Sequence, residues 1–286
     1  MQSSLSSNGN APTRDEVADP VLVIRSIQER SRYFFEPAEF AQLAGVPANS
    51  PSVGRALRRL AKRGFIKRIA KAPTGWLIIP AEQAHYGAPP VTWWLDDAMK
   101  GREPDYYVAL LSAAKHWGSA HYAIQTTQVM VASPRRSMTV GKLKVDFVVK
   151  RGLEKTPTTV VSADVAAWKV STREATLFDL MRHQAHVGGI ESIARIVRDF
   201  GPFLVGDEIT KAANATAQVA TAQRLGFLFD RLRMSHAANR LDEWLVGRRM
   251  PYHPLEHGEG QDVPIIDERW HVRYNTRHLT MLEEVS

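Results

Sequence analysis

Cysteine is absent from all 286 residues, which excludes a disulfide framework, a thiol nucleophile and any zinc site built on thiolates. No apolar run reaches the roughly 18 residues that a bilayer-spanning helix needs, and the opening MQSSLSSNGNAPTRDE has neither the basic flank nor the apolar stretch of a signal peptide. The expectation is a cytoplasmic protein with no membrane association. Residues 1–16 are rich in Ser, Asn and Gly with little to bury, and are expected to form a disordered leader. The most local absence is of negative charge: no Asp or Glu occurs from Phe40 to Ala81.

That window holds eight cations: Arg55, Arg58, Arg59, Lys62, Arg63, Lys67, Arg68 and Lys71. The net charge of the chain is +7, yet residues 81–286 carry 25 Lys/Arg against 24 Asp/Glu, so nearly all the excess cation lies in residues 1–80. Such an asymmetry points to one local site for a polyanion rather than a generally basic surface.

The same window has the grammar of a nucleic-acid module. Ser50 is a good N-cap, Pro51 suits the first helical position, and Ser52 to Arg63 follows a 3.6-residue period. With successive residues about 100° apart, Val53, Ala56, Leu57, Leu60 and Ala61 share one side while Arg55, Arg58, Arg59 and Lys62 lie opposite. Upstream, Pro37–Ala44 is a short helix ended by Gly45 and Pro47. Downstream of Gly64, Phe65–Ile69 and Trp76–Ile79 are two strands joined by a loop that carries Lys71. An earlier helix starts at Asp19-Pro20, and Tyr33–Phe35 is expected as a short strand against the hairpin. These elements spell a winged helix-turn-helix over residues 17–80. Its expected DNA contacts are Asn49, Ser52, Arg55, Arg58, Arg59, Lys62, Arg63, Lys67, Arg68 and Lys71.

Gly87-Ala88-Pro89-Pro90 is the strongest linker signal, so residues 81–90 are expected as a linker and 91–246 as a larger mixed α+β domain. Trp93 and Trp94 are expected as packing anchors there. Asp105–Trp117 is apolar nearly all round and is expected as one buried helix, with Ser112 bonding back to its own backbone. Thr127–Val131, Leu143–Val149, Thr158–Ser162 and Ala167–Val170 are expected strands. Ser171–Glu174 has the form of a capping box opening a helix, and Gly189–Phe200 and Asp207–Leu232 are further helical stretches, the latter interrupted near Gly226. Residues 247–286 form a tail in which Trp270–Tyr274 returns to the domain as a strand.

The second part offers little for catalysis. A metal nuclease wants an acid on one strand and an acid-x-Lys on the next; Asp146 is followed by Lys150, but no acid-x-Lys appears. His183 and His186 are three apart on an expected helix, without a Glu between them or a third ligand. No phosphate-cradling glycine loop or nucleophile elbow occurs. No catalytic residue, metal or cofactor is therefore expected. Arg135, Arg136, Lys142, Lys144, Lys150 and Arg151 form a second cationic cluster, either a solvated sheet face or a patch contacting RNA, an acidic surface or DNA.

Asp105–Ala114 (DYYVALLSAA) and Val170–Leu180 (VSTREATLFDL) resemble blocks of the AbiEi antitoxins, and the resemblance runs from about Val21 to Leu232. It implies a winged helix-turn-helix followed by an antitoxin domain, in an autorepressor of a type IV toxin–antitoxin operon linked to phage defence. Because one winged domain has a small footprint, the expected partner is operator DNA with an inverted repeat, bound by two copies acting cooperatively. The functional partner would be a nucleotidyltransferase-like toxin without a stable direct complex. In that light the cluster from Arg135 to Arg151 is a candidate antitoxicity patch. The alternative is a nuclease-like or modifying enzyme delivered to DNA by a winged-helix domain, distinguished by Mg²⁺-dependent turnover.

Overall fold

Asp19 accepts a hydrogen bond from the Val21 N–H at 2.9 Å, and Pro20 follows it, so helix α1 (Pro20–Gln28) starts where cap and proline dictate. In the computed structural model, which describes residues 19–69, 75–100, 105–119, 126–162, 165–256 and 264–285, α1 buries Val23, Ile24 and Ile27. Strand β1 (Phe34–Phe35), helices α2 (Pro37–Leu43) and α3 (Pro51–Lys62), and strands β2 (Ile66–Arg68) and β3 (Trp76–Ile78) follow. The three strands form an antiparallel sheet in the order β1-β3-β2. The three helices and the sheet share one core, centred on Ile27, Phe35, Phe40, Ala56, Leu57 and Leu60.

The chain divides into two compact units, the first holding the described residues of 1–100, 139–143 and 164–166. Residues 81–100 thus group with the first unit, although a linker and a new domain are expected there. The reason is burial: Ala88 is fully buried, Trp94 is 1% exposed with its indole N–H donated to the Pro89 carbonyl at 3.2 Å, and helix α4 (Leu95–Met99) buries Leu95 and Met99. Trp93 packs on Tyr33 at 4.9 Å between ring centroids. The Pro/Gly stretch is a bound strap, and both tryptophans are anchors. The expected leader and most of the loop carrying Lys71 lie outside the described residues.

The second unit begins with a correction. Asp105–Trp117 is not one helix: Tyr107–Val108 is strand β4 and only Leu110–His116 is helix α5. Tyr107 and Val108 pair with Met130 and Val129 on one side and Val108 with Val170 on the other, and sheet pairing outweighs the apolar helical pattern. Strands β5 (Thr126–Val131), β6 (Met138–Val140), β7 (Leu143–Val149), β8 (Thr158–Ser162) and β9 (Ala167–Ser171) complete a six-stranded sheet in the order β6-β7-β5-β4-β9-β8. β5 runs parallel to β7 and β4 parallel to β9, whereas β4–β5 and β8–β9 are antiparallel. Ser112 bonds across the sheet instead of to its own helix: its hydroxyl donates to the Thr126 carbonyl and accepts from the Gln128 N–H.

Helix α6 (Arg173–Arg182) is the true central helix, with every residue from Glu174 to Met181 buried. Its N-cap is Thr172, whose hydroxyl accepts from the Ala175 N–H, one residue later than the expected capping box. The displacement frees Glu174 to accept from the Val205 N–H at 3.0 Å. Helices α7 (Gly189–Phe200), α8 (Gly206–Thr216), α9 (Val219–Arg231) and α10 (Ser235–Leu245) follow. The break in the long helical stretch falls at Ala217, in the left-handed region, and not at Gly226. Gly226 sits inside α9, where an added Cβ would lie 2.0 Å from Cζ3 of Trp270.

The tail belongs to the second unit. β10 (His253–Pro254), β11 (Ile265–Asp267) and β12 (Val272–Tyr274) form a small sheet in the order β10-β12-β11, and helix α11 (Thr276–Val285) packs on α7. Trp270 is fully buried, with its indole N–H on Asp230 at 2.6 Å. The architecture is mixed α+β, and no described helix is long and apolar enough to cross a membrane.

Candidate nucleic-acid interface

Helix α3 is fixed at both ends by local chemistry. The Ser50 hydroxyl accepts from the Ser52 N–H at 3.3 Å, with Pro51 at the first helical position. The far end turns at Gly64, whose φ of +79° belongs to the left-handed region that an unsubstituted Cα enters freely, and the Phe65 N–H reaches back to the Leu60 carbonyl. Between these stops Val53, Ala56, Leu57 and Leu60 are buried. Arg55, Arg58, Arg59, Lys62 and Arg63 are exposed on the other side, as are Lys67 and Arg68 on β2 and Asn49 before the cap.

Among the described residues Arg55, Arg58, Arg59, Lys62, Arg63 and Lys67 make no ion pair. The Arg63 guanidinium lies over the Phe65 ring at 4.7 Å, which holds it in place without neutralising it. Two acids of this unit, Glu39 and Asp97, are taken up by Arg32. A helix with one buried face and one uncompensated cationic face therefore stands next to a cationic hairpin. Ser52 departs from the expectation, since it is 7% exposed and its hydroxyl shares a 2.7 Å hydrogen bond with that of Ser50. It serves the cap and does not face a ligand. Lys71 lies outside the described residues.

The second expected cluster is dispersed by the fold. Lys142 falls in the first unit, and Arg135, Arg136, Lys144, Lys150 and Arg151 in the second. Arg136, Lys142, Lys144 and Arg151 are exposed, Arg135 is half-buried, and Lys144 pairs with Asp146 on the same face of β7 at 3.0 Å. Lys150 leaves the patch altogether. It is 2% exposed, 2.6 Å from Asp179 and 3.0 Å from the Tyr107 hydroxyl, which itself donates to Asp179 at 2.8 Å. Burial and the neighbouring Asp179 push the Tyr107 phenol far up, so it stays a donor.

His183 and His186 form no metal pair. His183 ends α6 rather than lying within it, His186 sits on a following 3-10 turn, and their rings are 5.9 Å apart. Burial pushes the His183 imidazole down to about 4. Among the described residues no group of three His, Cys, Asp or Glu is arranged to hold a metal.

Residues 107–231 match the model of the AbiEi antitoxin C-terminal domain. This stretch is thus similar to the C-terminal domain of the AbiEi antitoxins. The matched segment spans β4 to α9, and the two sequence blocks, far apart in the chain, meet in the core. Val108 pairs with Val170, and Tyr107 bonds to Asp179 at 2.8 Å. The blocks that mark the family are thus packing and hydrogen-bonding elements rather than a surface site. No curated protein matches the chain. Among solved structures, a crystal structure of the RV2827C protein from Mycobacterium tuberculosis has a similar fold, with a TM-score of 0.65, 14% identity, and 95% of this chain and 96% of that chain covered.

Proposed function

We propose that this chain is an AbiEi-type antitoxin of a type IV system and that its first unit is a winged helix-turn-helix that binds the protein's own operator and represses transcription. The carrying observation is α3, which buries Val53, Ala56, Leu57 and Leu60 and exposes Arg55, Arg58, Arg59 and Lys62, four cations that make no ion pair among the described residues. A helix of this kind fits the major groove, with α2 as the preceding half of the motif and the β2–β3 hairpin as the wing. Arg55, Arg59 and Asn49 are assigned to base edges or adjacent phosphates. Arg58, Lys62, Arg63, Lys67, Arg68 and Lys71 neutralise the backbone.

One such module covers a short site, so operator specificity comes from two copies on an inverted repeat. The toxin is a nucleotidyltransferase-like enzyme opposed without a stable complex, as the family resemblance implies. The test is a gel shift and footprint on the chain's own promoter. Replacing a base-reading arginine should cost ~1–3 kcal/mol and relax one operator position, whereas removing a phosphate lysine should weaken all sequences alike and lower the salt slope by about one. Binding by Arg55→Ala/Arg59→Ala as tight as by the parent would overturn the assignment, and Mg²⁺-dependent cleavage of the operator would favour a nuclease.

A further inference from the structure

Strand β8 is one edge of the six-stranded sheet and is bare where such edges are normally protected. Its five residues, Thr158 to Ser162, include no charge and no proline, unlike the lysines, prolines and bulges that commonly blunt an edge. The opposite edge, β6, is kept to three residues. Val160 is 61% exposed at the centre of β8.

The register fixes which backbone groups face outward. The Thr172 N–H donates to the Pro157 carbonyl at 3.1 Å, and these two residues are opposite in the antiparallel β8–β9 register. Hydrogen-bonded pairs therefore fall at every second position, Thr159 with Val170 and Val161 with Trp168. The N–H and C=O of Thr158, Val160 and Ser162 point away from β9, and among the described residues nothing bonds to them. The side chains of the same three residues are the exposed ones.

We propose that β8 is the pairing edge for a second copy of this chain, joined antiparallel about a two-fold axis through Val160. The parity is self-complementary. Val160 faces Val160 of the second copy, and Thr158 faces its Ser162 on either side, so outward-pointing backbone meets outward-pointing backbone at all three positions and each pair exchanges two hydrogen bonds. Valine beside valine and threonine beside serine are favourable cross-strand pairs, and no charge meets its like. A symmetric, isologous contact of this kind is the commonest closed assembly, and here it doubles the sheet. The contact is confined to one short strand, so the pairing is expected to be reversible and to depend on protein concentration, without DNA.

Sedimentation equilibrium of the full chain without DNA, over a rising concentration series, reads the association directly. The parent should pass from monomer to dimer, Val160→Thr should match it, and Val160→Lys, which sets two ammonium groups face to face on the axis, should weaken it at least tenfold. Because the chain has no cysteine, single-cysteine variants report the axis without background. Under oxidant Val160→Cys should form a covalent dimer, since the Cα spacing of a hydrogen-bonded pair, about 5.5 Å, suits a disulfide. Thr158→Cys, whose opposite residue is Ser162, should not. A parent that stays monomeric throughout, a Val160→Lys dimer as tight as the parent's, or equal cross-linking at Val160 and Thr158 would each overturn the pairing. So would a monomer whose β8 edge is taken by a different protein. None of these outcomes depends on operator binding.

Discussion

Lys150 and Asp179 are 2.6 Å apart with 2% and 1% of their side chains exposed, so neither can be removed alone without leaving a buried charge. Lys150→Met or Asp179→Leu should each cost about 3–5 kcal/mol, whereas the double replacement should be far cheaper. Urea denaturation of the three variants measures this, and equal losses in all three would show that the pair itself stabilises. The pair was illegible in the sequence because Lys150 continues the charge run of β7 and its partner is 29 residues away. His183 gives a second residue-scale test. Burial first, and then Arg182, His186 and Lys150, hold its imidazole down to about 4 against the pull of Asp179, from an ordinary 6.5. The unfolded chain therefore takes up a proton that the folded chain refuses, so this residue's contribution to stability is complete above about 6.5 and is lost as pH falls toward about 4. His183→Gln should flatten the fall in melting temperature across that window, and an unchanged slope would place the acid sensitivity elsewhere.

Elements with strong local punctuation were legible. α3 carries its Ser-Pro start and glycine stop, and β5, β7 and β8 read as β-rich runs close to their observed bounds. What failed depended on neighbours. Tyr107 and Val108 look helical alone and become β4 because β5 and β9 flank them, and the helix α11 lies in a tail with no motif. Gly226 shows the same division. A glycine inside a helix reads as a break, since it disfavours the helix by about 1 kcal/mol relative to alanine, yet α9 runs straight through it. The fully buried ring of Trp270 occupies the space where a Cβ would stand. Gly226→Ala should accordingly destabilise by ~1–3 kcal/mol through overpacking, in spite of its better propensity. Pairing it with Trp270→Leu should recover part of its own effect in a double-mutant cycle, whereas simple additivity would mean that the two sites do not touch.

At the scale of the whole molecule the charge asymmetry and the unit division coincide. The uncompensated cations Arg55, Arg58, Arg59, Lys62, Arg63 and Lys67 lie in the first unit, and the segment similar to the AbiEi antitoxin domain lies in the second. The two activities proposed for the chain should therefore separate, with repression in one part and antitoxicity in the other. The observed division moves the first cut from the apparent linker near residue 85 to residue 101, because the buried residues Ala88, Trp94 and Leu95 group with the first unit, to which 139–143 and the described part of 164–166 also belong. Residues 101–286 expressed with the toxin should restore growth while leaving the promoter derepressed. Of the cationic cluster, Arg135, Arg136, Lys142, Lys144 and Arg151 remain in this piece outside the core, and the joint replacement of Arg135, Arg136, Lys142 and Lys144 by alanine is the decisive second arm. Loss of rescue in that variant, with its melting temperature unchanged, would locate antitoxicity at a cationic surface competing for the toxin's nucleic-acid target. Rescue that survives the four changes would discard the patch and keep the division. No rescue by residues 101–286, shown to be folded by a cooperative melt, would overturn the division itself, because an antitoxin domain that folds yet cannot act needs its first unit for more than DNA.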